Sequence, residues 1–337
     1  MPFKRPIIGI TMGDPLGIGP EILVKALSVP EIYSICRPLV LGDSRIMDKA
    51  LRFSSDPMGI HCLAHPGEGL YQIHTIDMLN LSDLDPDIID LKTPGTKTGL
   101  AMETYIVKGT DLAINSQIAA LVTCPITKTG LKLAGSKFHG HTELIAEQTG
   151  TKEFAMMLAG KNLRVVLVTI HMSVSQVPAN LSQTNILKTI RLTRAGLKDR
   201  FGIWEPRIAV AGLNPHAGEE SMFGSEEEDI IAPAVRTALE QGVNIQGPLP
   251  PDTVFYHAVQ GAFDAVICMY HDQGLIPFKL VHFKDGVNTT LGLPIIRTSV
   301  DHGTAYDIAW KGKADPSSLI EAIKMAVFQA RNQTAET

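Results

Sequence analysis

The chain has little of what marks a secreted, membrane-spanning or nucleic-acid-binding protein. Its four cysteines (Cys36, Cys62, Cys124 and Cys268) lie far apart and form no C-x-x-C pair, and three of them lie in or beside apolar runs, which predicts buried free thiols. No window approaches about 18 uninterrupted apolar residues, and the first apolar run is too short for a signal peptide. Net charge is −5 and no basic block occurs, which disfavours nucleic acid as a partner. We therefore expect a soluble cytoplasmic protein.

A dinucleotide-binding fingerprint is also missing from the glycine cluster GDPLGIGPE at 13–21. Gly17 and Gly19 supply G-x-G, but Ile22 stands where the G-x-G-x-x-G pattern requires its third glycine. An apolar run at 7–11 precedes the cluster, and Pro20 suits the first turn of a helix. The sequence predicts a strand–loop–helix unit that is not a Rossmann pyrophosphate site.

What the chain does contain is an alternation of short apolar runs with amphipathic stretches. With 45% hydrophobic and 19% charged residues, its 337 residues can bury a sizeable core. The nearly continuous apolar runs are predicted strands, at 37–42, 118–124, 163–170, 207–213 and 264–270. The amphipathic stretches are predicted helices, at 98–114, 183–201 and 225–242, with a closing helix near the end of the chain. This alternation predicts an α/β fold with a mainly parallel sheet.

Three histidines follow three of the predicted strands: His171, His216 and His271. Because the carboxyl ends of parallel strands meet at one edge of a sheet, the three imidazoles could converge on a metal and leave positions open for substrate. Imidazole ligands favour Zn²⁺, with Co²⁺, Ni²⁺ or Mn²⁺ as alternatives and Mg²⁺ as a weaker one. Asp272 could orient His271 or cap a helix. The alternative is that these are structural or surface histidines.

A second group of polar residues suits an anionic ligand. FHGHTEL at 138–144 places imidazole and hydroxyl groups at a predicted helix start, a natural seat for phosphate. Lys279 and Arg297 stand in apolar settings, where a cation usually has an anionic partner. Internal salt bridges are the alternative for both cations. The group comprises His139, His141, Thr142, Lys279, Asn288 and Arg297.

Several motifs closely resemble the 4-hydroxythreonine-4-phosphate dehydrogenase family of vitamin B6 biosynthesis. They run from residue 9 to residue 315 and are GDPLGIGPE, PGTKTGLAME, GHTE, GLNPHAGE, CMYHDQG, GVNTTLGLPIIRTS and DHGTAYDIAWKGKAD. The family shares a wider fold with isocitrate and isopropylmalate dehydrogenases, which carry GDGIGPE-like and HGSAPDIAGKG-like loops. The resemblance implies that residues 1–337 form one dehydrogenase unit. It consists of two interleaved α/β subdomains that share a continuous, non-Rossmann sheet, with the active site in the cleft between them.

The resemblance also implies roles for individual residues. The implied metal ligands are His171, His216 and His271, which come together at a homodimer interface. The implied substrate-binding residues are His141, Thr142, Lys279, Asn288 and Arg297. The implied cofactor-binding residues, which hold NAD or alternatively NADP, are His302, Gly303, Thr304, Ala305 and Asp307. Lys279 and Asp272 are the expected catalytic residues.

The implied reaction is NAD-dependent, divalent-metal-dependent oxidation of the C3 hydroxyl of 4-phosphohydroxy-L-threonine, followed by β-decarboxylation. The sequence departs from the biosynthetic pattern at HMSVSQVP (171–178), at VHFKDGVN (281–288) and at Trp310. The substrate could therefore instead be 4-phospho-D-threonate or 4-phospho-D-erythronate, oxidised in a catabolic reaction that yields dihydroxyacetone phosphate. Two further alternatives are a metal-dependent aldolase or hydrolase acting on a phosphorylated acid, and a non-catalytic phosphate receptor with a closed structural metal site.

Overall fold

The computed structural model describes residues 5–91, 93–138 and 140–334 of the chain. It divides into two compact units. The first comprises Met1–Lys152 and Leu293–Arg331, and the second comprises Glu153–Gly292 and Asn332–Thr337. Among the described residues, no helix is long and apolar enough to cross a membrane.

The described residues form twelve strands and twelve α-helices. The strands are β1 (Ile7–Thr11), β2 (Arg37–Gly42), β3 (Gly59–Cys62), β4 (Thr75–Asn80), β5 (Ala120–Thr123), β6 (Ala155–Ala159), β7 (Arg164–Leu167), β8 (Ile208–Ala211), β9 (Ile245–Leu249), β10 (Ala265–Cys268), β11 (Val287–Leu291) and β12 (Arg297–Val300). The helices are α1 (Gly19–Leu27), α2 (Pro30–Ile35), α3 (Ser44–Ala50), α4 (Thr96–Ile114), α5 (Lys128–Leu133), α6 (His141–Gln148), α7 (Val177–Asn180), α8 (Gln183–Asp199), α9 (Ala232–Glu240), α10 (Val254–Val259), α11 (His271–Val281) and α12 (Ser317–Thr334).

The first unit contains six parallel strands in the order β3-β4-β2-β1-β5-β12. Ile8, Ile10, Leu39, Leu41 and Val122 on its central strands are fully buried. Their continuous apolar character arises because helices cover both faces of a parallel sheet. The predicted strands at 37–42 and 118–124 are confirmed, and α1 carries Pro20 in its first turn as predicted.

The second unit orders its strands β11-β6-β7-β10-β8-β9. Strands β7, β10, β8 and β9 are parallel, whereas β6 runs antiparallel to both β7 and β11. Only the four residues 160–163 join β6 to β7, and so short a connection can join antiparallel strands but not parallel ones. The predicted α/β class with a mainly parallel sheet is confirmed.

Two details differ from the sequence-based expectations. The predicted helix at 225–242 contains a π-helical turn, Glu227–Ile231, before α9 begins. All four cysteines are free as predicted, but Cys62 is exposed whereas the other three are buried. Burial raises the pKa of the Cys36 thiol to about 12, so this group is an inert core residue.

Candidate active site

The three histidines singled out from the sequence follow neighbouring parallel strands of the second unit. His171 comes after β7, His216 after β8, and His271 after β10, where it is the first residue of α11. Strand β10 pairs with β7 on one side and with β8 on the other. The expectation that all three follow carboxyl ends of adjacent parallel strands is confirmed, and this is where sites assemble in α/β proteins.

His171 and His271 lie close together. Their ring centres are 5.9 Å apart, and both rings line a cavity of about 570 Å³ together with Met172, Val174 and Tyr270. Asp272 Oδ1 lies 2.6 Å from His271 Nδ1. The residue before α11, Tyr270, makes no side-chain cap. Of the two roles open to Asp272, the structure therefore shows contact with the imidazole, through its Nδ1 atom.

His216 occupies a different setting. It lies in the short turn Pro215–Gly218, where both His216 and Ala217 have a left-handed backbone, with φ of 53° at His216. Its ring centre is 6.2 Å from that of Phe223. Within the part of one chain that the structure describes, no group of three His, Cys, Asp or Glu side chains is arranged to hold a metal ion. The structure thus brings His171 and His271 together and does not gather a full three-histidine set within a single chain.

Three of the expected substrate residues lie in the first unit. Helix α6 begins at His141 after an extended Gly140, so Thr142 lies in the first turn of the helix. The amide N–H groups of this first turn have no acceptor inside the helix. Arg297, the first residue of β12, is 4% exposed and donates from Nη2 to Thr123 Oγ1 at 2.8 Å. His139, also named from the sequence, lies outside the described residues.

The electrostatics of this group suit an anion. Burial, and then the nearby Arg297 guanidinium, lower the pKa of His141 well below its usual value, so the imidazole is neutral at pH 7. Burial lowers the pKa of Arg297 to about 10, opposed by Glu143, and the guanidinium remains charged. Among the described residues, His141 Nε2 is buried without a hydrogen-bond partner. A buried polar atom of this kind usually marks a position where a ligand or water binds.

Lys279 and Asn288 belong to the second unit. Lys279 is half-buried on α11, the helix that begins at His271. Asn288 is half-buried on β11, where its Nδ2 lies 3.4 Å from Met156 Sδ, and its buried Oδ1 has no hydrogen-bond partner among the described residues. An unsatisfied buried amide oxygen requires a donor, which a hydroxyl or ammonium group could supply.

The two loops that resemble dehydrogenase motifs contact each other within the first unit. Ile18 N donates to Thr304 O at 3.0 Å, and Trp310 Nε1 donates to Pro15 O at 3.0 Å. A methyl group at Gly17 would lie 3.0 Å from Thr304 O, so this glycine permits the close approach. The exposed edge of the later loop carries His302, Gly303 and Asp307, and Ala305 has a left-handed φ of 45°.

Sequence reasoning missed the polar pair that joins these loops. Tyr306 donates to Asp14 Oδ2 at 2.5 Å, and Asp14 is fully buried. Burial raises the pKa of Asp14, and the Tyr306 hydroxyl partly offsets this effect. Asp14 is the second residue of the GDPLGIGPE motif, so the sequence did contain a signal for this residue. Nothing in the sequence pairs it with Tyr306.

The chain has the α/β fold of a dehydrogenase class that is not Rossmann. It is similar in structure to isocitrate dehydrogenase from Methylococcus capsulatus, with a TM-score of 0.52 and 15% identity, covering 98% of this chain and 87% of that one. At this identity the likeness shows the fold alone. It confirms the isocitrate dehydrogenase-like fold predicted from the two loop motifs.

More similar proteins define the family. Residues 34–326 match the family model described as pyridoxal phosphate biosynthetic protein PdxA. A 4-hydroxythreonine-4-phosphate dehydrogenase from Desulforapulum autotrophicum is 62% identical over 330 residues, which are 98% of this chain and 97% of the relative. The solved 4-hydroxythreonine-4-phosphate dehydrogenase from Klebsiella pneumoniae is 41% identical with a TM-score of 0.90, covering 98% and 99% of the two chains. The chain belongs to the PdxA family, as the sequence motifs predicted.

One relative carries a different name. A D-threonate 4-phosphate dehydrogenase from Cupriavidus necator is 45% identical over 320 residues, which are 95% of this chain and 96% of the relative. Relatives of this chain are therefore named for more than one substrate.

Proposed function

We propose that this protein oxidises the C3 hydroxyl of 4-phosphohydroxy-L-threonine, or of a close 4-phosphorylated analogue, with NAD as hydride acceptor and with loss of the carboxyl group as CO₂. The observation that carries the proposal is the placement of His171, His216 and His271 after three adjacent parallel strands. They stand in a chain that is 62% identical to a relative named as a dehydrogenase of this substrate type. The coarser activity, a dehydrogenase acting on a CH–OH group of a phosphorylated hydroxy acid, fits the named relatives that are at least 41% identical.

The substrate phosphate binds at the start of α6. Arg297 supplies a positive charge that is 4% exposed and already held by Thr123, so little ordering is needed when an anion arrives. The α6 amide groups and the Thr142 hydroxyl supply neutral donors, and His141 Nε2 supplies a further polar contact. Because His141 is neutral, it can bind phosphate without adding a second cation beside Arg297.

His171, His216 and His271 are the residues that hold a divalent metal, and their chemistry fits one. Neutral imidazoles suit Zn²⁺, with Co²⁺, Mn²⁺ or Mg²⁺ as alternatives. The 2.6 Å contact from Asp272 to His271 Nδ1 is the arrangement in which a carboxylate orients a coordinating imidazole through its other nitrogen. When bound, the ion supplies Lewis acidity toward a substrate oxygen during oxidation and decarboxylation.

A second copy of the chain completes this site. The ring centres of His171 and His271 in one chain are 5.9 Å apart, and no group of three possible ligands forms among its described residues, so we propose that a homodimer supplies the missing donor. Helix α11 supports this proposal because it presents apolar residues to solvent directly after His271. Ile276 is 68% exposed, Leu280 is 86% exposed, and Phe283 just beyond the helix is 78% exposed. Exposed apolar surface of this extent usually marks an interface.

The chain's remaining residues handle the hydroxyl group and the cofactor. Lys279 accepts the C3 hydroxyl proton as the C3 hydrogen leaves as hydride, and Asn288 Oδ1 accepts a hydrogen bond from the substrate. The exposed edge formed by His302, Gly303, Thr304, Ala305 and Asp307 binds the adenosine half of NAD, with NADP as the alternative. Positioning the C3 hydrogen against the nicotinamide is the main contribution required of the protein.

A second candidate substrate is 4-phospho-D-threonate, with 4-phospho-D-erythronate as its close analogue. The 45% identity to a relative named D-threonate 4-phosphate dehydrogenase favours it. The phosphate and the oxidised hydroxyl are common to these compounds, so Arg297, His141 and the histidine set serve each of them. 4-Phosphohydroxy-L-threonine carries an amino group beside the carboxylate where the two sugar acids carry a hydroxyl group, and the two sugar acids differ from each other in configuration.

NADH formation with the three substrates offered in parallel, with Zn²⁺ or Mn²⁺ present, tests the proposal. A higher kcat/KM for 4-phosphohydroxy-L-threonine assigns the biosynthetic reaction, and a higher value for a phosphorylated sugar acid assigns the catabolic one. If no substrate yields NADH from NAD or NADPH from NADP, the proposed reaction is wrong.

A further inference from the structure

The loop after β8 holds an unusual backbone conformation. Six consecutive residues have positive φ, with values of 53°, 56°, 84°, 42°, 52° and 65°. They are His216, Ala217, Gly218, Glu219, Glu220 and Ser221. Only the glycine adopts this region without strain, since a Cβ atom disfavours it. A strained run of this length persists only where surrounding groups hold it, and such runs concentrate at functional sites.

Glu227 holds the start of this loop. Its side chain is 2% exposed and lies in the π-helical turn Glu227–Ile231. Oε1 accepts from Leu213 N at 2.6 Å and from Asn214 N at 2.7 Å, and Oε2 accepts from Asn214 Nδ2 at 2.9 Å. A buried carboxylate that accepts three hydrogen bonds is a strong and specific anchor.

The carboxylate also packs against both sides of the turn. A methyl group added at Gly212 would lie 3.0 Å from Glu227 Oε1, and one added at Gly218 would lie 2.9 Å from Oε2. Gly218 is the third residue of the left-handed run and has φ of 84°. The loop therefore folds around Glu227, with His216 between the two glycines.

Gln273 links the same loop to the neighbouring histidine. It is 7% exposed and lies two residues after His271 in α11. Its Oε1 accepts from Met269 N at 2.6 Å, and its Nε2 donates to Gly212 O at 2.6 Å. Because both bonds are short and buried, they tie the end of β10 to the end of β8. Glu227 and Gln273 thus both hydrogen-bond to residues 212–214, from the π-helical turn and from α11 respectively.

We propose that Glu227 and Gln273 are positioning residues that hold His216 in its left-handed turn and fix that turn relative to His271. The inference rests on the proposed metal-binding role of these histidines. Neither residue touches the substrate or the metal, and both act through the backbone that carries a ligand. Loss of either one lets residues 216–221 relax toward the favoured right-handed or extended regions, which moves the His216 imidazole away from its ligand position.

The variant Glu227→Gln tests the positioning role directly. It keeps the shape of the side chain but replaces one accepting oxygen by an NH₂ group, which cannot accept the hydrogen bond from Asn214 Nδ2. Glu228→Gln is the matched control, since Glu228 is exposed and adjacent in the same turn. Gln273→Glu is the second variant, since it keeps the acceptor for Met269 N and replaces the donor to Gly212 O by a carboxylate oxygen, which repels that carbonyl. Three quantities are measured on full-length protein: Co²⁺ affinity by calorimetry, the visible spectrum of bound Co²⁺, and hydrogen exchange of residues 213–221 in metal-free protein.

We expect Glu227→Gln to bind Co²⁺ about 10- to 100-fold more weakly, the usual cost of removing a group that supports a ligand. The Co²⁺ spectrum should change, and amides 213–221 should exchange faster even without metal. Gln273→Glu should shift all three quantities in the same direction, and Glu228→Gln should match the wild type.

Wild-type affinity, spectrum and exchange in Glu227→Gln would overturn the inference. If that variant does not fold, wild-type values in Gln273→Glu overturn it instead. If the wild-type protein binds no Co²⁺, the metal role in the proposed function is wrong. The positioning role is then decided by hydrogen exchange alone: faster exchange of 213–221 in the variants supports it and unchanged exchange refutes it.

Discussion

Replacing Arg297 with Met removes the one buried cation that we place against the substrate phosphate. The guanidinium is 4% exposed, and its Nη2 is held by Thr123 Oγ1 at 2.8 Å. Met has a similar length and no charge, so it fills the space at the start of β12. The perturbation is therefore mainly electrostatic rather than a change in packing.

The expected loss follows from the energy of one hydrogen bond between the guanidinium and the phosphate. A hydrogen bond to a charged group contributes a net ~1.5–3 kcal/mol. Since ~1.4 kcal/mol corresponds to a factor of ten, kcat/KM should fall roughly 10- to 150-fold. The phosphate is remote from the C3 centre, so most of the loss should appear as a higher KM, as expected when binding is lost equally from the ground and transition states.

Two substrates are needed to assign that loss to the phosphate. NADH formation is measured for wild type and Arg297→Met, each with 4-phosphohydroxy-L-threonine and with its unphosphorylated counterpart. The variant should lose activity with the phosphorylated substrate and change little with the other. Thr123→Val is a milder control, since it loosens Arg297 without removing its charge. Equal losses with both substrates would refute the phosphate assignment for Arg297.

Three further predictions concern the histidines and the surface of α11. His216→Ala should abolish turnover without lowering the unfolding temperature, because the side chain is exposed; an active variant would remove His216 from the metal set. Burial and Arg297 lower the pKa of His141 in the folded protein. As the pH falls, His141 therefore becomes protonated in the unfolded chain before it does so in the folded protein. The contribution of His141 to the free energy of unfolding should therefore be fully present above pH ~6.5. Below that pH the free energy of unfolding should decrease by up to ~1.4 kcal/mol for each pH unit. His141→Asn should remove this component from urea unfolding measured across that range, and an identical pH dependence in both proteins would contradict it. Leu280→Glu places a charge on a residue that is 86% exposed and should convert a dimer to a monomer in light scattering; a monomeric wild type or a dimeric variant would contradict the proposed interface.

The central strands could be predicted from the sequence because they are buried on both faces. Strand β8 is a continuous apolar run and β2 is one apart from Arg37, which is the pattern of a strand covered on both faces. Strands β4, β6, β11 and β12 were not predicted, although most of their residues are buried; β4, β11 and β12 contain polar residues that interrupt the apolar pattern. Strands β3 and β9 also escaped prediction, and they stand at the ends of the strand order in their units. Strand β3 has no fully buried residue, and β9 contains Gly247 and Pro248. Strands β3 and β9 are stabilised mainly by backbone hydrogen bonds to a neighbouring strand, and such bonds do not require a recognisable pattern of apolar side chains.

The site could be predicted in part for a similar reason. Histidines that follow apolar runs stand at strand ends, so topology alone brings His171 and His271 to neighbouring positions. The support around His216 could not be predicted, because Glu227 lies in the acidic run SEEED at 225–229. Such a run is typical of a solvated first turn of a helix. Only the tertiary packing of the loop shows which of its carboxylates is buried.

The most direct test of the proposed reaction is the ratio of NADH to CO₂ produced from substrate labelled with ¹³C in its carboxyl group. Wild-type protein with Zn²⁺ and NAD is given labelled 4-phosphohydroxy-L-threonine, and both products are followed over the same time course. We expect labelled CO₂ and NADH to appear in equal amounts, and neither to form when NAD is omitted. Cleavage of the substrate without NADH would instead identify a metal-dependent aldolase or hydrolase, and would contradict the proposed oxidation.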